Sequence, residues 1–357
     1  MLIKLGVDRN NIPDVWRTDW DKAMESKGDH CYLSHRYLDE MNCILHLPDE
    51  QIQVLYDTGA YLKSSEPLKQ LTWLWYYCLF EGMGKDDNLS SVDWPLPLEI
   101  PKRLTDAFYG IIFLAAIPSM RRFYREKNIP ENVFIQTLSD MRIGMSENLQ
   151  ISGNYGFGSF NLDWMQRHIK GRIFRLGRLQ FMSKPFEHDL SIYRHNDSGE
   201  YRIIISSHGA SEPQEPQWTL VLQKDDIVLE VHIPGGEPLS PEACQASYKN
   251  AHKFYNRIFP DLHYSGFTCE SWLLSPILRE LLPPESNTVK FQESFIKYLD
   301  FTTEDYFRHI FRLRSKEGQP LDDLPEDTSM RRIIKKYLLS GGSIFSAGGF
   351  IDTSPGS

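Results

Sequence analysis

The sequence predicts an α+β protein of two domains: a helical domain over residues 1–150 and a mixed β-sheet domain with flanking helices over residues 151–357. At 357 residues the chain exceeds the usual single core, since domains average roughly 100 to 200 residues. Apolar residues recur at helical spacing from Leu47 to Ser146, whereas strand-like runs dominate after Arg172. The glycine-rich stretch Ser152–Ser159 separates these two patterns and is interpreted as a connection.

The first domain is expected to be a bundle of amphipathic helices. One predicted helix carries its apolar residues at i, i+3, i+4, i+7 and i+8, namely Leu71, Leu74, Trp75, Cys78 and Leu79. The longest apolar run, Phe108 to Ile117, predicts a buried helix that ends at Pro118. This run is well short of the roughly 20 residues that cross a bilayer, so no membrane association is expected.

The second domain combines predicted strands with helices. The predicted strands are Arg172–Met182, Tyr201–Ser206, Trp218–Gln223, Ile227–Ile233, Tyr264–Leu273, Val289–Phe301 and Tyr306–Leu313. Lys224 to Asp226 are expected to form a hairpin turn between the two central strands. The predicted helices are Leu162–Ile169, Pro241–Ile258, Pro276–Leu282 and Ser329–Ser340.

The charge of the chain argues against nucleic acid as a partner. It carries 48 acidic against 39 basic residues, a formal charge of -9, and so has no general attraction for phosphate backbones or anionic lipid. Basic clusters at Arg121–Lys127 and Arg331–Lys336 fall on helical patterns with apolar neighbours. They are interpreted as solvated helix faces.

Cysteine usage predicts a cytoplasmic protein with reduced thiols. The five cysteines are an odd number scattered through a long chain, and Met1–Asn11 has no apolar run of the kind found in export signals. Cys31, His35, Cys43 and His46 have the spacing of a loose zinc site. Their apolar neighbours favour buried side chains instead, so no metal is expected.

A candidate anion site follows the strand Ile227–Ile233. Gly235 and Gly236 form a loop, and Ser240 is the expected N-cap of the helix that follows. The free amides and the positive dipole end of such a helix suit a pyrophosphate, and coenzyme A carries one. An ordinary strand–loop–helix junction is the alternative, and the charges of Glu237 and Glu242 oppose an anion. The candidate cofactor residues of this segment are Ile233, Gly235, Gly236 and Ser240.

Three side chains are candidates for acyl-transfer chemistry. Glu230 and His232 share one face at the end of a strand, where either could take the proton of an attacking amine. Cys269 on a neighbouring predicted strand is a candidate nucleophile for a covalent route. The alternatives are an exposed strand face, a structural histidine and a small buried cysteine, respectively.

Substrate contacts are expected from polar residues on two strands. Arg178 and Gln180 share a face with Arg172 on the first predicted strand and could hold an acidic substrate, although a solvated sheet face is the alternative. Glu270 follows Cys269 and points to the opposite side of its strand. These residues complete the candidate site.

Several segments together resemble a bacterial family of acyltransferases with a helical N-acyltransferase-type N-terminal domain and a GNAT-like C-terminal domain. The resembling segments are Ile129–Glu131, Thr137–Asp140, Phe174–Phe181, His232–Pro234, Pro238–Ser240, Cys269–Leu274, Ser286–Asn287 and Phe291–Gln292. The resemblance implies a GNAT-like sheet that binds acetyl-CoA or another acyl-CoA along the strand ending at His232, and adds Asn287 to the cofactor residues.

The leading hypothesis is an N-acyltransferase that moves an acyl group, expected to be acetyl, from coenzyme A to an amine of a small molecule by direct attack on the thioester. The resemblance itself does not supply the substrate. The chain departs from the wider GNAT pattern in two respects. It has only Gly235-Gly236 in the loop, and Pro276–Leu282 lacks the tyrosine that often protonates the leaving thiolate. A catalytically inactive GNAT-like module that binds acyl-CoA or a protein partner is therefore the alternative.

Overall fold

The computed structural model describes residues 12, 14–26, 28–81, 100–205, 213, 215–301, 306–314 and 318–353. Met1–Asn11, where no export signal is expected, lies outside these residues. The chain forms two compact units, Met1–Phe174 and Arg175–Ser357. The division falls inside a short strand, later in the chain than the glycine-rich connection.

The described part of the first unit consists of helices and their connections, apart from the first two residues of β1 at its end. Its α-helices are α1 Asp14–Glu25, α2 His35–Leu45, α3 Asp49–Lys63, α4 Glu66–Phe80, α5 Thr105–Glu126, α6 Glu131–Ser152 and α7 Leu162–Ile169. The predicted stripe of α4 is confirmed, because Leu71, Leu74, Trp75, Cys78 and Leu79 are all buried. Ser65 caps this helix by accepting a hydrogen bond from Leu68 N.

The expectation that a helix ends at Pro118 is wrong, since α5 continues through this residue to Glu126. A proline inside a helix removes the hydrogen bond to the carbonyl four residues earlier, here that of Leu114. The Tyr37 hydroxyl of α2 donates to Leu114 O at 2.7 Å. A tertiary contact therefore satisfies the carbonyl that the proline cannot reach.

The second unit begins within a strand and alternates strands with helices. Its strands are β1 Ile173–Arg175, β2 Gln180–Pro185, β3 Leu190–His195, β4 Tyr201–Ile205, β5 Trp218–Gln223, β6 Ile227–His232, β7 Gly266–Ser271, β8 Ile296–Asp300 and β9 Ala347–Asp352. Its α-helices are α8 Pro241–Ile258, α9 Ile277–Leu281, α10 Asn287–Glu293, α11 Tyr306–Phe311 and α12 Ser329–Leu339. The α+β prediction is confirmed.

Two sheets are formed by the described strands. The larger has six strands in the order β1-β2-β6-β7-β9-β8, and the smaller has three in the order β4-β3-β5. β6 and β7 run parallel, while β2 with β6, β7 with β9 and β8 with β9 run antiparallel. Ile192 and Leu222 of the smaller sheet pack with Val228 and Phe350 of the larger one in a shared apolar core.

The predicted single strand Arg172–Met182 is wrong, because a turn divides it into β1 and β2. Gly177 adopts a φ of 103°, which an L side chain rarely tolerates, and Leu176 N donates to Leu179 O across the turn at 3.0 Å. The expected common face of Arg172, Arg178 and Gln180 therefore does not exist. Arg178 lies in the turn, and Gln180 begins β2.

The hairpin predicted around Lys224 to Asp226 is also wrong. A turn is present, with Asp225 at a φ of 68°, but the two strands that it joins belong to different sheets. β5 pairs with β3, whereas β6 pairs with β2 and β7. The turn thus carries the chain from the smaller sheet to the larger one.

Other differences lie toward the end of the chain. The predicted strand Val289–Phe301 divides into α10 and β8, and the predicted strand Tyr306–Leu313 is helical as α11. β3 and β9 were not predicted. β9 contains Gly348 and Gly349, where a Cβ would lie 2.3 Å from the Tyr298 ring and 2.7 Å from Phe295. These glycines permit close packing on the sheet, although glycine is uncommon inside strands and the glycine content of this segment argues against a strand.

Helix α8 has the predicted bounds, with Ser240 as its N-cap and Pro241 as its first residue. In the described part of the chain, no helix is long and apolar enough to cross a membrane. The same residues contain no group of three or more His, Cys, Asp or Glu side chains placed to hold a metal ion.

Candidate functional site

The candidate site is built where the parallel strands β6 and β7 stop pairing. Their register covers Leu229 with Phe267 and Glu230 with Thr268. Beyond that pair β6 continues to His232 alongside β2, and β7 continues to Ser271 alongside β9. In the described structure no register joins the two strands past Glu230, so their carboxyl ends form an opening in the sheet.

The chain leaves β6 through the segment Pro234–Pro238 and enters α8. Ser240 Oγ accepts a hydrogen bond from Ala243 N at 3.3 Å, which caps the helix. Gly236 is exposed at a φ of 98°, and Ile233, Gly235 and Ser240 are half-buried. The helix therefore starts next to the opening, with its dipole suited to an anion.

Two buried arginines support this loop. Arg178 is only 7% exposed and donates from Nε to Pro238 O at 3.0 Å and from Nη1 to Pro234 O at 2.8 Å. Arg175 Nη2 lies 3.4 Å from Glu237 Oε1. Arg178, predicted to contact the substrate, is thus bonded to both ends of the loop, and Arg175 offsets the carboxylate that was expected to oppose an anion.

Glu230 and His232 lie together on one face of β6, as their spacing predicts. His232 Nε2 is 3.0 Å from Glu230 Oε2, and the His232 side chain remains 23% exposed. Lys184 Nζ is 3.7 Å from Glu230 Oε1. Partial burial acts to lower the pKa of Lys184, but the carboxylates of Glu230, Glu187 and Glu270 together raise it. The pair is therefore a half-exposed imidazole beside a nearly buried carboxylate.

A second histidine–carboxylate pair lies on the same side of the sheet. His188 Nε2 is 2.6 Å from Glu270 Oε1, and the Tyr298 hydroxyl donates to the same oxygen at 3.1 Å. Burial raises the pKa of Tyr298, so its phenol stays protonated and remains a donor. Sequence reasoning missed His188 and Tyr298, because no local spacing links them to Glu270.

Cys269 lies on the opposite side of β7, against α8. It is 0% exposed, and burial raises the pKa of its thiol well above the ordinary value. A neutral, buried thiol is a poor nucleophile, so the geometry does not favour the covalent route. Tyr248 of α8 lies near Cys269, with its ring against Phe181 and Phe267.

The Tyr248 hydroxyl is buried and has no hydrogen-bond partner among the described residues. Gln180 is also buried, and pairs in register with His232 at the end of the β2–β6 ladder. Asn287 is exposed at the first position of α10, and no described hydrogen bond joins its side chain to the loop. The fold therefore gathers most, but not all, of the predicted residues around the opening.

Two family models match the chain and meet at residue 172, close to the boundary between the compact units at Phe174 and Arg175. Residues 36–171 match the N-acyltransferase N-terminal domain, and residues 173–351 match the GNAT-like C-terminal domain. No curated protein matches the chain.

Solved structures of acyltransferases share this fold. One is an acyltransferase in complex with decanoyl-CoA and teicoplanin, 22% identical over 99% of this chain and 98% of that chain, with a TM-score of 0.70. Another is an acyltransferase mutant in complex with octanoyl-CoA, also 22% identical with a TM-score of 0.70, over 98% of each chain. A third is in complex with CoA and 10C-Teicoplanin, with the same identity and TM-score, over 99% of this chain and 98% of that chain.

Proposed function

Because the chain belongs to the family with an N-acyltransferase N-terminal domain and a GNAT-like C-terminal domain, we propose that it is an acyl-CoA-dependent N-acyltransferase. The donor is an acyl thioester of coenzyme A, and the acceptor is an amine of a small molecule. Transfer occurs by direct attack of the amine on the thioester.

The observation that carries this proposal is the end of the β6–β7 register at Glu230 and Thr268. An extended ligand with amide groups, such as the pantetheine arm of coenzyme A, can hydrogen-bond to strand backbones that have separated in this way. The loop held by Arg178 and the start of α8 lie at the same end of β6 and suit the pyrophosphate. One ligand can therefore occupy both features.

His232 is the proposed base, with Glu230 beside it. His232 accepts a proton from the ammonium group of the acceptor, and the neutral nitrogen then attacks the thioester carbonyl. The carbon–nitrogen bond forms, the carbon–sulfur bond breaks, and the leaving thiolate takes the second proton of the nitrogen. His232 finally releases its proton to solvent.

The length of the acyl group is the finer part of the proposal. Acetyl is the group expected from the sequence, whereas the structural neighbours hold octanoyl-CoA and decanoyl-CoA. The neighbour that holds teicoplanin supports a small-molecule acceptor. We therefore include donors of both lengths in the test.

Release of free CoA from acetyl-, octanoyl- and decanoyl-CoA, measured with and without an amine panel, tests the proposal. We expect amine-dependent CoA release from at least one donor and a matching amide product by mass spectrometry. Binding of acyl-CoA without any amide product would favour the alternative, a GNAT-like module that senses acyl-CoA. Neither binding nor turnover would reject both.

A further inference from the structure

Glu270 is a carboxylate whose orientation is fixed from one side. His188 Nε2 and the Tyr298 hydroxyl both contact Oε1, at 2.6 and 3.1 Å. The His188 ring is itself packed against the rings of Phe186, Tyr298 and Phe301. The hydrogen bonds from His188 and Tyr298 fix the position of Oε1, and they therefore also fix the direction in which Oε2 points.

The other oxygen, Oε2, has no partner among the described residues, and the Glu270 side chain is 32% exposed. Glu230 pairs with Thr268, so His232 and Glu270 occupy the next positions on the same face of the two separating strands. Glu270 therefore lies across the opening from the proposed base.

The charges around this face favour a cation. Three carboxylates, of Glu187, Glu230 and Glu270, influence the single ammonium group of Lys184. Lys184 itself lies within 3.0 Å of Glu187 and 3.7 Å of Glu230. Since Lys184 is shared with the other two carboxylates, Glu270 retains the capacity to bind a cationic group from outside.

We propose that Glu270 binds the ammonium group of the acceptor through Oε2, with His188 and Tyr298 as positioning residues. This inference rests on the proposed N-acyl transfer and names its substrate class: a primary amine that arrives protonated. An ammonium held at Glu270 faces His232 across the opening, so it can pass one proton to the imidazole before attack. The carboxylate makes a charge-assisted hydrogen bond that a neutral alcohol cannot match.

The test uses paired probes that differ in charge: n-hexylamine against n-hexanol, and glucosamine against glucose. Binding to the full-length protein is followed by ligand-observed NMR, with and without decanoyl-CoA, and transfer by CoA release. Glu270→Gln removes the charge with little change of shape. Glu200→Gln is the matched control, because it removes an exposed carboxylate in the turn between β3 and β4, outside the group of carboxylates that influences Lys184.

We expect the wild type to bind the amines in preference to the alcohols. Glu270→Gln should weaken amine binding, or raise the KM for the amine, about 10- to 100-fold, with kcat changed much less. Glu200→Gln should change either value less than about threefold. Tyr298→Phe removes one of the two donors and should weaken amine binding by a smaller factor while the protein stays folded.

Unchanged amine affinity in both Glu270→Gln and Tyr298→Phe would overturn the inference, as would equal binding of amine and alcohol to the wild type. Thermal unfolding with decanoyl-CoA and acetyl-CoA is recorded on the same samples. If the wild type shows no stabilisation by any acyl-CoA, the proposed function fails independently. If Glu270→Gln loses the preference for amines but is still stabilised by acyl-CoA as the wild type is, both proposals are supported.

Discussion

His232 Nε2 lies 3.0 Å from Glu230 Oε2 at the carboxyl end of β6, where the pairing with β7 has just ended. The His232 side chain is 23% exposed at the edge of the opening, where it can reach a ligand. This relationship places the proposed base next to the proposed thioester site.

Substituting the base should stop transfer without preventing cofactor binding. His232→Ala is expected to lower kcat by about 100- to 10,000-fold, because general base catalysis contributes that much. The affinity for acyl-CoA should remain within a few-fold of the wild type. His263→Ala, at an exposed position on the same unit, is the control. Equal activity of the two variants would exclude His232 as the base.

Arg178 is expected to hold the loop. Arg178→Met leaves the carbonyls of Pro234 and Pro238 without the guanidinium donors and should lower the free energy of unfolding by about 2 to 4 kcal/mol. Acyl-CoA affinity should fall as the loop loosens. Arg257→Met removes the same charge at an exposed position of α8. Denaturant unfolding that shows no difference between the two variants would contradict this role.

Tyr248→Phe should stabilise the protein, or leave it unchanged, since it removes a buried hydroxyl without a described hydrogen-bond partner. The expected gain is about 1 kcal/mol. Tyr255→Phe is the matched comparison and should cost about 1 kcal/mol, because the Tyr255 hydroxyl donates to Phe181 O at 3.1 Å. If urea unfolding shows that Tyr248→Phe destabilises the protein as much as Tyr255→Phe does, the Tyr248 hydroxyl has a partner.

The cysteines should differ in reactivity. Cys31 and Cys43 are exposed, so the burial expected from their apolar neighbours is wrong, whereas Cys78, Cys244 and Cys269 are buried. A thiol reagent at neutral pH should therefore modify the first two in the native protein and all five after denaturation. Rapid modification of Cys269 in the native state, detected by peptide mass spectrometry, would contradict the described burial and restore the covalent route.

Stability should fall at alkaline pH. Burial raises the pKa of Cys244 from its ordinary value of 9.0 to about 11. Between these values the unfolded chain loses the proton and the folded chain keeps it, so unfolding becomes more favourable as pH rises. Cys244→Ala should show a smaller decrease in Tm between pH 9 and pH 11 than the wild type. An identical decrease would mean that Cys244 does not contribute.

Elements with local signals could be predicted from the sequence. Helix α8 has a capping serine, a first-turn proline and a regular apolar face, and its bounds Pro241–Ile258 are the predicted ones. Elements that depend on tertiary contacts could not be predicted. β9 contains glycines, which are rare in strands, because the space beside them is filled by Tyr298 and Phe295. Helix α5 continues through Pro118 because the Tyr37 hydroxyl donates a hydrogen bond to Leu114 O.

The candidate site shows the same division. Glu230 and His232 are two residues apart on one strand, so period-two alternation places them together. His188 lies 82 positions from Glu270 and meets it only through the sheet order. No spacing pattern in a single sequence indicates a contact between residues so far apart. The pair of His188 and Glu270 can therefore be identified only from the folded structure.

Thermal unfolding with and without acyl-CoA tests the central claim most directly. Acetyl-, octanoyl- and decanoyl-CoA are each added in large excess, with free CoA alongside. A donor at 100 times its Kd should add about 2.7 kcal/mol to the free energy of unfolding and raise Tm visibly. A clear rise with at least one acyl-CoA is the predicted result. No rise with any of them would contradict acyl-CoA binding and, with it, the proposed transferase.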